Sequence, residues 1–512
     1  MSEVKRFFKS GILLTLVGLA MRTAAMFFGA FISKNMGAEG TGIYTLVMTV
    51  YSFAITFATS GISLTVTRLV ASAIGEGKPS EVGRILRGSF IFSFAFGCIA
   101  TFGLFFGAEF LGNKILSDER TVMSLKVLAI SLIPIALSSA LTGYFVGVKR
   151  VAFNAVASVF CQIIRICLTV AIVTYLQPYG TVSTVIGLCV GITLTEILGF
   201  LLIFFEFLYD RKKNAKAIIK SPPEIIKIGK TALPLAFSAY VRSLLLNTEH
   251  ILIPRKLKEG GETTSEAYAH YGTLHGMALP AVTYPMSPLS SFAGLLVPEF
   301  AEDMSAGRRE RMNRIASKAM NATLAYSVIS AVFLSVFAEE LGYVLYNSYD
   351  AGYYISALAL VVPIMYLDYV TDSMLKGIGE QVFSMWVNIT DSLLSVVLVW
   401  LLIPRMGIMG YVVVIVAMES YNFLLSFYRL KRKINFKIKP ITAGLIPLFA
   451  TLFSAHITRC LFKFSGSTTT PLWLIMKMIF ALSITVFLLS IFRLKSKNTL
   501  KNSKIHKAKP TV

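Results

Sequence analysis

The sequence predicts an all-α protein that crosses a membrane many times. Of its residues, 55% are hydrophobic and only 15% are charged, and the mean hydropathy is +0.69. A typical soluble domain is about 25% charged. Apolar runs of about 20 residues recur along the whole chain, and this is the length that an α-helix needs to cross about 30 Å of hydrocarbon. We therefore expect a polytopic membrane protein.

About fourteen transmembrane helices are predicted from these runs. Each run ends at charged residues or at a cluster of Gly, Pro or Asn. The predicted spans cover roughly residues 9–33, 41–70, 86–108, 122–147, 151–176, 182–208, 226–254, 268–298, 313–338, 352–375, 381–403, 408–429, 440–462 and 471–493.

The positive charges favour one topology. The formal net charge is +22, from 49 Lys and Arg against 27 Asp and Glu. If both termini are cytoplasmic, 34 of the Lys and Arg fall in inside segments and 10 in outside segments. The positive-inside rule then accounts for the charge, so no nucleic-acid partner is needed. We expect a multi-pass protein of the cell membrane, with both termini in the cytoplasm and membrane lipids around it.

The chain also repeats itself with a period of about 220 to 230 residues. Gly11 precedes Arg22 in span 1, and Gly229 precedes Arg242 in span 7. Because each half has six spans and starts in the cytoplasm, we expect two six-helix lobes in a pseudo-two-fold parallel repeat, plus two C-terminal helices. The predicted divisions are an N-terminal lobe at 1–210, a cytoplasmic linker at 211–225, a C-terminal lobe at 226–433, spans 13 and 14 at 434–494, and a basic cytoplasmic tail at 495–512.

Four arginines lie inside predicted spans, where a charge costs about 2.5–3.5 kcal/mol on insertion scales. Arg22 and Arg242 occupy comparable places in the repeat, so we expect them on opposite walls of one cavity. Arg165 lies one helical turn after Gln162, while Arg68 is the one best placed to snorkel to an interface. Cations in a cavity predict an anionic substrate.

Two further groups of residues are candidates for coupling and gating. Glu249 and His250 follow Arg242 in span 7, and they are candidates for balancing the cavity charge or binding a coupling ion. Pro280, Pro285 and Pro288 are expected to let span 8 bend during gating, with static kinks as the alternative. H⁺ or Na⁺ coupling is left open, and no cofactor or metal site is predicted. Because no phosphate-binding glycine loop or nucleophile elbow occurs, neither an ATP-driven pump nor an enzyme is expected.

Several segments resemble one family. Residues 141–147 (LTGYFVG) and 161–165 (CQIIR) are similar to the RGYFQG…EQ…R signature of the stage V sporulation protein B group. Residues 36–44 (MGAEGTGIY), 247–255 (NTEHILIPR) and 271–280 (YGTLHGMALP) resemble further stretches of that group. These are polysaccharide-type flippases of the multidrug/oligosaccharidyl-lipid/polysaccharide exporter superfamily, related to lipid II flippases. Two positions depart from the signature, since Thr142 stands in place of arginine and Cys161 in place of glutamate.

The resemblance implies alternating-access translocation of a lipid-linked saccharide, lipid II-like with a polyprenyl diphosphate, for peptidoglycan or another envelope polysaccharide. It leaves open an association with cell-wall synthesis enzymes. Arginine suits the diphosphate because its planar fork binds phosphate oxygens in pairs. The joint loss of arginine and glutamate at Thr142 and Cys161 predicts a lost ion pair. The alternative function is a multidrug/cation antiporter of the same superfamily, and a scaffold without transport is more remote.

Overall fold

The computed structural model describes residues 2–59, 61–75, 79–148, 151–214, 225–463 and 470–507, with the side chains of some residues in these segments left out. These residues form α-helices with short π-helical and 3-10 turns, and no strand occurs among them. The all-α prediction is confirmed. The helices are α1 Ser2–Thr59, α2 Ile62–Gly75, α3 Pro79–Phe110, α4 Val122–Ala129, α5 Leu132–Gly147, α6 Val151–Leu176, α7 Thr181–Asn214, α8 Ile225–Glu259, α9 Thr264–Tyr271, α10 Leu279–Thr283, α11 Ser287–Ser305, α12 Arg309–Val336, α13 Ala338–Tyr346, α14 Tyr349–Ala359, α15 Val362–Gly377, α16 Gln381–Met406, α17 Ile408–Lys433, α18 Ile446–Lys463 and α19 Pro471–Lys507.

The described part of the chain contains nine helices that are long and apolar enough to cross a membrane, or eleven when two bent pairs are counted. The protein is therefore a multi-pass membrane protein. The count of fourteen is not confirmed. Predicted spans 1 and 2 fall together in one candidate, Thr23–Ile74, and α8 and the broken segment α9 to α11, which occupy predicted spans 7 and 8, are not among these helices.

Predicted spans 1 and 2 are joined differently from the expectation. A loop was expected between residues 33 and 41, but α1 continues through this region as two helical segments that meet at Gly37. Gly37 has φ of 70° and ψ of −179°, a non-helical conformation that glycine adopts without a side-chain clash, so the chain kinks there between the two helical segments.

The helix breaks in predicted spans 4 and 10 have one cause. α4 and α5 meet at a 44° bend, and α14 and α15 meet at a 58° bend. Pro134 and Pro363 each follow the break closely. A proline removes one backbone donor and clashes with the carbonyl four residues earlier, so the helix breaks on its N-terminal side.

The internal repeat is visible in the helix bounds and in one packing contact. α5 and α15 span Leu132–Gly147 and Val362–Gly377, while α6 and α16 span Val151–Leu176 and Gln381–Met406, each pair offset by 230 residues. A Cβ on Gly147 would lie 3.1 Å from the carbonyl oxygen of Thr67, and one on Gly377 would lie 2.9 Å from that of Val297. Thr67 and Val297 carry the same offset, so both halves use a glycine at the end of the helix for the same close approach.

The chain forms two compact units. Unit 1 contains residues 1–276 and 392–411, and unit 2 contains residues 277–391 and 412–512. A core of α2, α3, α5 and α7 side chains holds part of unit 1 together, including Val66, Val70 and Phe145. In unit 2, Phe300, Met320 and Met374 belong to a core between α11, α12 and α15. The lobe and linker bounds expected from the repeat stay a prediction.

Candidate functional site

Helices α6 and α7 form an antiparallel hairpin whose helices approach closely. Small residues recur every fourth position on α7, at Gly187, Gly191, Thr195 and Gly199. A Cβ on Gly191 would lie 3.2 Å from Oγ1 of Thr169, and one on Gly199 would lie 3.3 Å from Sγ of Cys161. Small residues at this spacing let membrane helices pack with little side-chain volume between them. The hairpin register therefore places the middle of α6 directly against the middle of α7.

This register brings a cation and an anion together. Nη2 of Arg165 on α6 donates a hydrogen bond to Oε1 of Glu196 on α7, and the two form an ion pair. The Arg165 side chain is 33% exposed and the Glu196 side chain 28%, so the pair is half-buried rather than sealed. Nε of Arg165 is buried and has no hydrogen-bond partner among the described residues. Arg165 thus keeps donor capacity that Glu196 does not use.

The pair lies in a cavity of about 320 Å³ between α5, α6 and α7, which Met21 of α1 also reaches. Its polar lining consists of hydroxyl, amide and charged side chains, and its apolar lining is formed mainly by α7. The polar residues are Ser138, Thr142, Gln162, Arg165, Thr195 and Glu196, and the others are Met21, Cys161, Gly199, Phe200 and Ile203. One cation, one anion and several hydroxyl groups make a cavity suited to a polar ligand that bears an anionic group.

Both departures from the family signature lie in this cavity. Thr142 and Cys161 line its wall together with Arg165 and Glu196. The loss of an ion pair between positions 142 and 161 stays a prediction. The cavity contains a different arginine–carboxylate pair, with the arginine at position 165 and the carboxylate supplied by Glu196 of α7. Glu196 lies in predicted span 6, and the sequence alone does not distinguish it from the other carboxylates within the spans. The signal that identifies it is the hairpin turn near residue 179, from which positions 165 and 196 are nearly equidistant.

The other three predicted cations are not shown in this cavity. Arg22 lies in α1, but its side chain is outside the described part of the structure. Arg68 of α2 and Arg242 of α8 have exposed side chains. Their expected place on the walls of one cavity with Arg22 stays a prediction.

Glu249 and His250 lie in α8 beside residues that the sequence did not single out. Glu249 is buried and lies in hydrogen-bonding contact with Tyr411. The half-buried ring of His250 meets that of His275 edge to face, with 4.3 Å between the centroids. His275 follows α9 in a π-helical turn over Gly272–Ala278. Sequence reasoning missed it because no periodic pattern predicts a π-helical turn.

The three predicted gating prolines lie in three successive elements. Pro280 is in α10, Pro285 in a 3-10 turn over Tyr284–Met286, and Pro288 in the first turn of α11. The carbonyl of Pro285 accepts a 2.7 Å hydrogen bond from the Tyr326 hydroxyl. Span 8 is thus broken where its prolines lie, and a gating role for them stays a prediction.

A second polar cluster lies within unit 2. Asp372 accepts a 2.6 Å hydrogen bond from Ser384 and pairs with Lys376 at 2.5 Å. Asp368 and Glu419 lie close enough to interact electrostatically. Among the described residues, no group of three or more His, Cys, Asp or Glu side chains has an arrangement that could hold a metal ion.

Comparison with known families covers most of the chain. The sequence profile of the family described as polysaccharide biosynthesis protein matches residues 7–304, and that of MatE matches residues 286–401. Stage V sporulation protein B of Bacillus subtilis (strain 168) is 26% identical over 97% of this chain and 97% of its own length. Lipid II flippase MurJ of the same organism is 21% identical over 85% of this chain and 84% of its own.

Solved structures share the fold. A lipid II flippase MurJ in an inward closed conformation aligns with a TM-score of 0.72 at 16% identity, covering 94% of this chain and 99% of that one. An inward-facing multidrug resistance MATE family transporter of the MOP superfamily aligns with a TM-score of 0.68 at 16% identity, covering 82% and 98%. The chain belongs to the polysaccharide biosynthesis protein family and has the polytopic fold of the MOP superfamily.

Proposed function

We propose that this protein is a flippase that moves a lipid-linked saccharide, of the polyprenyl diphosphate type found in lipid II, from the inner to the outer leaflet of the cell membrane. Alternating access of a polar cavity would carry the head group, and no covalent bond would change. Two similar proteins support the proposed flippase activity, because both are named as lipid II flippases. Both termini are proposed to be cytoplasmic, on the asymmetry of Lys and Arg.

The observation that carries the proposal is the Arg165–Glu196 pair in the cavity of unit 1. A phosphate group that enters this cavity can accept from the unpaired Nε and compete with Glu196 for Nη2, which are neighbouring donors of one planar fork. Glu196 would hold the guanidinium in place while the cavity is empty. The pair can open for an anion because the site is half-buried, so that water can solvate the carboxylate of Glu196 when the phosphate takes its place on Arg165.

The cavity volume limits what enters this part of the site. About 320 Å³ is at the small end of the range of about 300–1,000 Å³ for ligand pockets. It suits a diphosphate with one adjoining sugar, rather than a complete oligosaccharide or peptide-bearing head group. The hydroxyls of Ser138, Thr142 and Thr195 and the amide of Gln162 match sugar hydroxyl groups in hydrogen-bonding character.

The lipid tail needs an apolar path beside the polar site. α18 and α19 present large exposed apolar side chains, among them Phe449, Phe453 and Ile479. We propose that these two helices form part of a groove for the polyprenyl tail. Association with cell-wall synthesis enzymes stays a prediction.

The proposal is tested by translocation in proteoliposomes that contain fluorescent lipid-linked saccharides. Arg165→Gln is expected to lower the initial rate at least about tenfold, because one charge-assisted contact is worth about 1.5–3 kcal/mol. Arg165→Lys should recover only part of the rate, since lysine lacks the planar fork. Arg255→Gln is the matched control, because Arg255 is an exposed arginine that also faces a glutamate one turn away, Glu259, at 3.8 Å. Equal rates for Arg165→Gln and Arg255→Gln would contradict the proposed role of the pair.

A multidrug/cation antiporter remains the second candidate because unit 2 contains carboxylates within its predicted spans. Asp368, Asp391 and Glu419 lie near one another there, in a region that overlaps the MatE match. An organic cation would be attracted to this cluster, whereas the cavity of unit 1 offers only a carboxylate that Arg165 already occupies. Uptake of a fluorescent organic cation that Asp368→Asn abolishes, without any movement of lipid-linked saccharide, would favour the antiporter.

A further inference from the structure

The link between α17 and α18 is an extended segment that lies along α12. Backbone N–H groups at alternate positions of this segment donate to side chains that are one helical turn apart on α12. These bonds join Asn435 to Asn313 at 3.0 Å, Lys437 to Ser317 at 3.0 Å and Lys439 to Asn321 at 2.7 Å. Nδ2 of Asn321 donates a further 2.8 Å bond to the Lys437 carbonyl. We call residues 434–439 the strap.

The strap has a fixed register on α12 because the two hydrogen-bonding periods agree. Two residues of extended chain advance about 6.6 Å, and four residues of α-helix advance about 6.0 Å. Side chains of an extended chain alternate between its two faces. Ile434 and Phe436 are buried in the core of unit 2, and Ile438 packs against that core. Lys437 and Lys439 alternate with them and are exposed, so the backbone holds both lysines away from the core.

Two cations of α12 adjoin this pair of lysines. Arg314 and Lys318 are exposed, lie one turn apart, and directly follow two of the residues that bind the strap. We call Arg314, Lys318, Lys437 and Lys439 the strap cations. In the part of the chain that the structure describes, none of the four forms an ion pair or a side-chain hydrogen bond. Like charges at adjoining positions repel one another, so they favour a bound anion.

Other cations near the strap already have partners in the protein. Arg429 and Lys433 both pair with Glu380 at 2.8 Å. Lys431 donates a hydrogen bond to the Phe436 carbonyl, and its ammonium lies 4.7 Å from the centre of the Phe436 ring. Lys431 thus closes the turn between α17 and the strap, whereas the strap cations are open to a ligand.

The strap ends where a lipid-facing surface begins. Ile441, Leu445 and Phe449 follow the strap, and they are 64%, 48% and 66% exposed. Lys439 is two residues before Ile441, so the Cα atoms of the two are at most about 7 Å apart. The polar head-group layer on each side of the hydrocarbon is about 5–7 Å thick. The strap cations therefore begin at the level of the lipid phosphates.

We infer that the strap cations bind the phosphate groups of anionic phospholipids in the cytoplasmic leaflet. Charge complementarity carries the inference, because four cations adjoin the lipid-facing surface. The planar fork of Arg314 suits two phosphate oxygens, and the lysines act as point charges. Hydrogen bonds already order the strap backbone, so binding does not have to order it again. The inference goes beyond the proposed flippase function and uses the proposed topology only to name the leaflet.

A bound lipid would join α12 to α18. Two of the strap cations belong to α12, and the other two belong to the strap, which leads into α18 through a π-helical turn. A phosphate held between the two pairs therefore ties the start of α18 to α12. Anionic lipid should then slow the opening of the strap, which gives a second readout besides binding.

Binding is tested first on the wild-type protein, purified in a neutral detergent and freed of lipid. Native mass spectrometry measures its affinity for phosphatidylglycerol and for zwitterionic phosphatidylcholine with the same acyl chains. Each basic residue beside an anionic lipid surface contributes about fivefold to affinity. With four cations, we expect phosphatidylglycerol to bind at least about tenfold more tightly than phosphatidylcholine. Equal affinities would overturn the inference without the use of any variant.

Charge variants then locate the bound lipid. Lys437→Gln with Lys439→Gln should weaken phosphatidylglycerol binding at least about tenfold, while phosphatidylcholine binding stays the same. Arg405→Gln with Arg459→Gln is the matched control, because it also removes two exposed cations, from the C-terminal parts of α16 and α18. The control should keep the wild-type affinity. Equal losses in the two double variants would mean attraction by total charge and would contradict the site.

A further variant separates an ordered site from diffuse attraction. Ser317→Ala with Asn321→Ala removes side chains that hold the strap and keeps all four cations. Phosphatidylglycerol binding should weaken at least about threefold, since the lysines lose their fixed positions and binding must order them. Unchanged affinity would show attraction by charge alone and would overturn the ordered site.

Hydrogen–deuterium exchange of the wild type follows the strap itself. The amides of Asn435, Lys437 and Lys439 are the reporters, because each donates to α12. At a phosphatidylglycerol concentration of about twice the Kd, their exchange should slow about threefold. Phosphatidylcholine, inorganic phosphate and a polyglutamate peptide should leave it unchanged.

Each other result of the exchange experiment contradicts the inference. Unchanged exchange with phosphatidylglycerol would remove the site, and equal slowing by inorganic phosphate would show an ion site rather than a lipid site. Slowing by polyglutamate alone would identify an acidic protein partner instead. Translocation enters none of these measurements, so the flippase proposal can fail while the lipid site stands.

Discussion

Arg165 on α6 and Glu196 on α7 are joined by a charge-assisted hydrogen bond across a hairpin, although 31 residues separate them in sequence. The contact exists because small residues every fourth position on α7 let the two helices approach. It places an ion pair in the cavity between α5, α6 and α7, which Thr142 and Cys161 also line. The residues of the family signature and the proposed substrate-binding arginine therefore line the same cavity.

Exchanging the two charges separates a structural role from a substrate-binding role. Arg165→Glu combined with Glu196→Arg keeps an ion pair but places the guanidinium on the other helix. We expect the thermal stability of the purified protein to return to within about 1 kcal/mol of the wild type, since the pair is restored. Translocation should stay low, because the cation no longer faces the ligand from α6. Full recovery of transport by the exchanged pair would show that Arg165 acts only as a partner of Glu196.

Adding the family's carboxylate should lower activity. Cys161→Glu places a glutamate one turn before Arg165, so two carboxylates then compete for one guanidinium and the cavity gains a negative charge. We expect translocation of a diphosphate-linked saccharide to fall several-fold. Adding Thr142→Arg to this variant restores the charge balance and should recover most of the rate. Unchanged transport in Cys161→Glu would mean that the charge of this cavity does not affect the substrate.

The glycine at the end of α15 should tolerate no side chain. A Cβ at Gly377 would lie 2.6 Å from Cβ of Phe300 and 2.9 Å from the carbonyl oxygen of Val297, so a backbone must move to admit it. Gly377→Ala is expected to cost about 1–3 kcal/mol of stability. The control is Gly103→Ala, since Gly103 lies in α3 with no neighbour within 4 Å of the added Cβ. Thermal unfolding in detergent measures both, and equal stabilities would contradict the close contact.

An ion-pair network around Glu380, which lies between α15 and α16, should stabilise unit 2 down to acidic pH. Glu380 accepts hydrogen bonds from Arg429 at 2.8 and 3.0 Å and pairs with Lys433 at 2.8 Å. Hydrogen bonds from Lys433 and Arg429 hold the pKa of the Glu380 carboxyl below its ordinary value of 4.5. A lowered carboxyl pKa gives stability that is present above the unfolded-state pKa and is lost as the pH falls through the folded-state pKa.

Glu380→Gln should therefore lower the stability at pH 7 by about 1 kcal/mol, the usual value for accessible pairs. The difference from the wild type is expected to stay constant from pH 8 to about pH 5.5 and to shrink as the pH falls below 4.5. Glu310→Gln, at an exposed position of α12, is the control and should change little. If the stability difference between Glu380→Gln and the wild type grows as the pH falls, the proposed stabilisation by the ionised Glu380 carboxylate is contradicted.

The sequence predicted the helices better than their junctions. Predicted span 5 at 151–176 matches α6, Val151–Leu176, because its apolar run has sharp polar ends. The break predicted between spans 1 and 2 is present but is limited to the kink at Gly37, because glycine permits a non-helical backbone there and the polar residues Lys34, Asn35 and Glu39 stay within the helical segments. The functional residues show the same difference between what lies within one helix and what depends on contacts between helices. The cavity contains Arg165 and Gln162 as predicted neighbours on α6, whereas Glu196 and His275 depend on pairing between helices and on a π-helical turn.

The central claim is tested most directly by the leaflet position of a lipid-linked saccharide in vesicles that contain the purified wild-type protein. A membrane-impermeant oxidant of sugar diols is added outside, and the fraction of saccharide that reacts is followed over time. We expect nearly all of a polyprenyl diphosphate saccharide to react, while about half of a neutral glycolipid with the same sugar stays protected. Protection of half of both lipids, in vesicles that accumulate an organic cation through the same protein, would contradict the account.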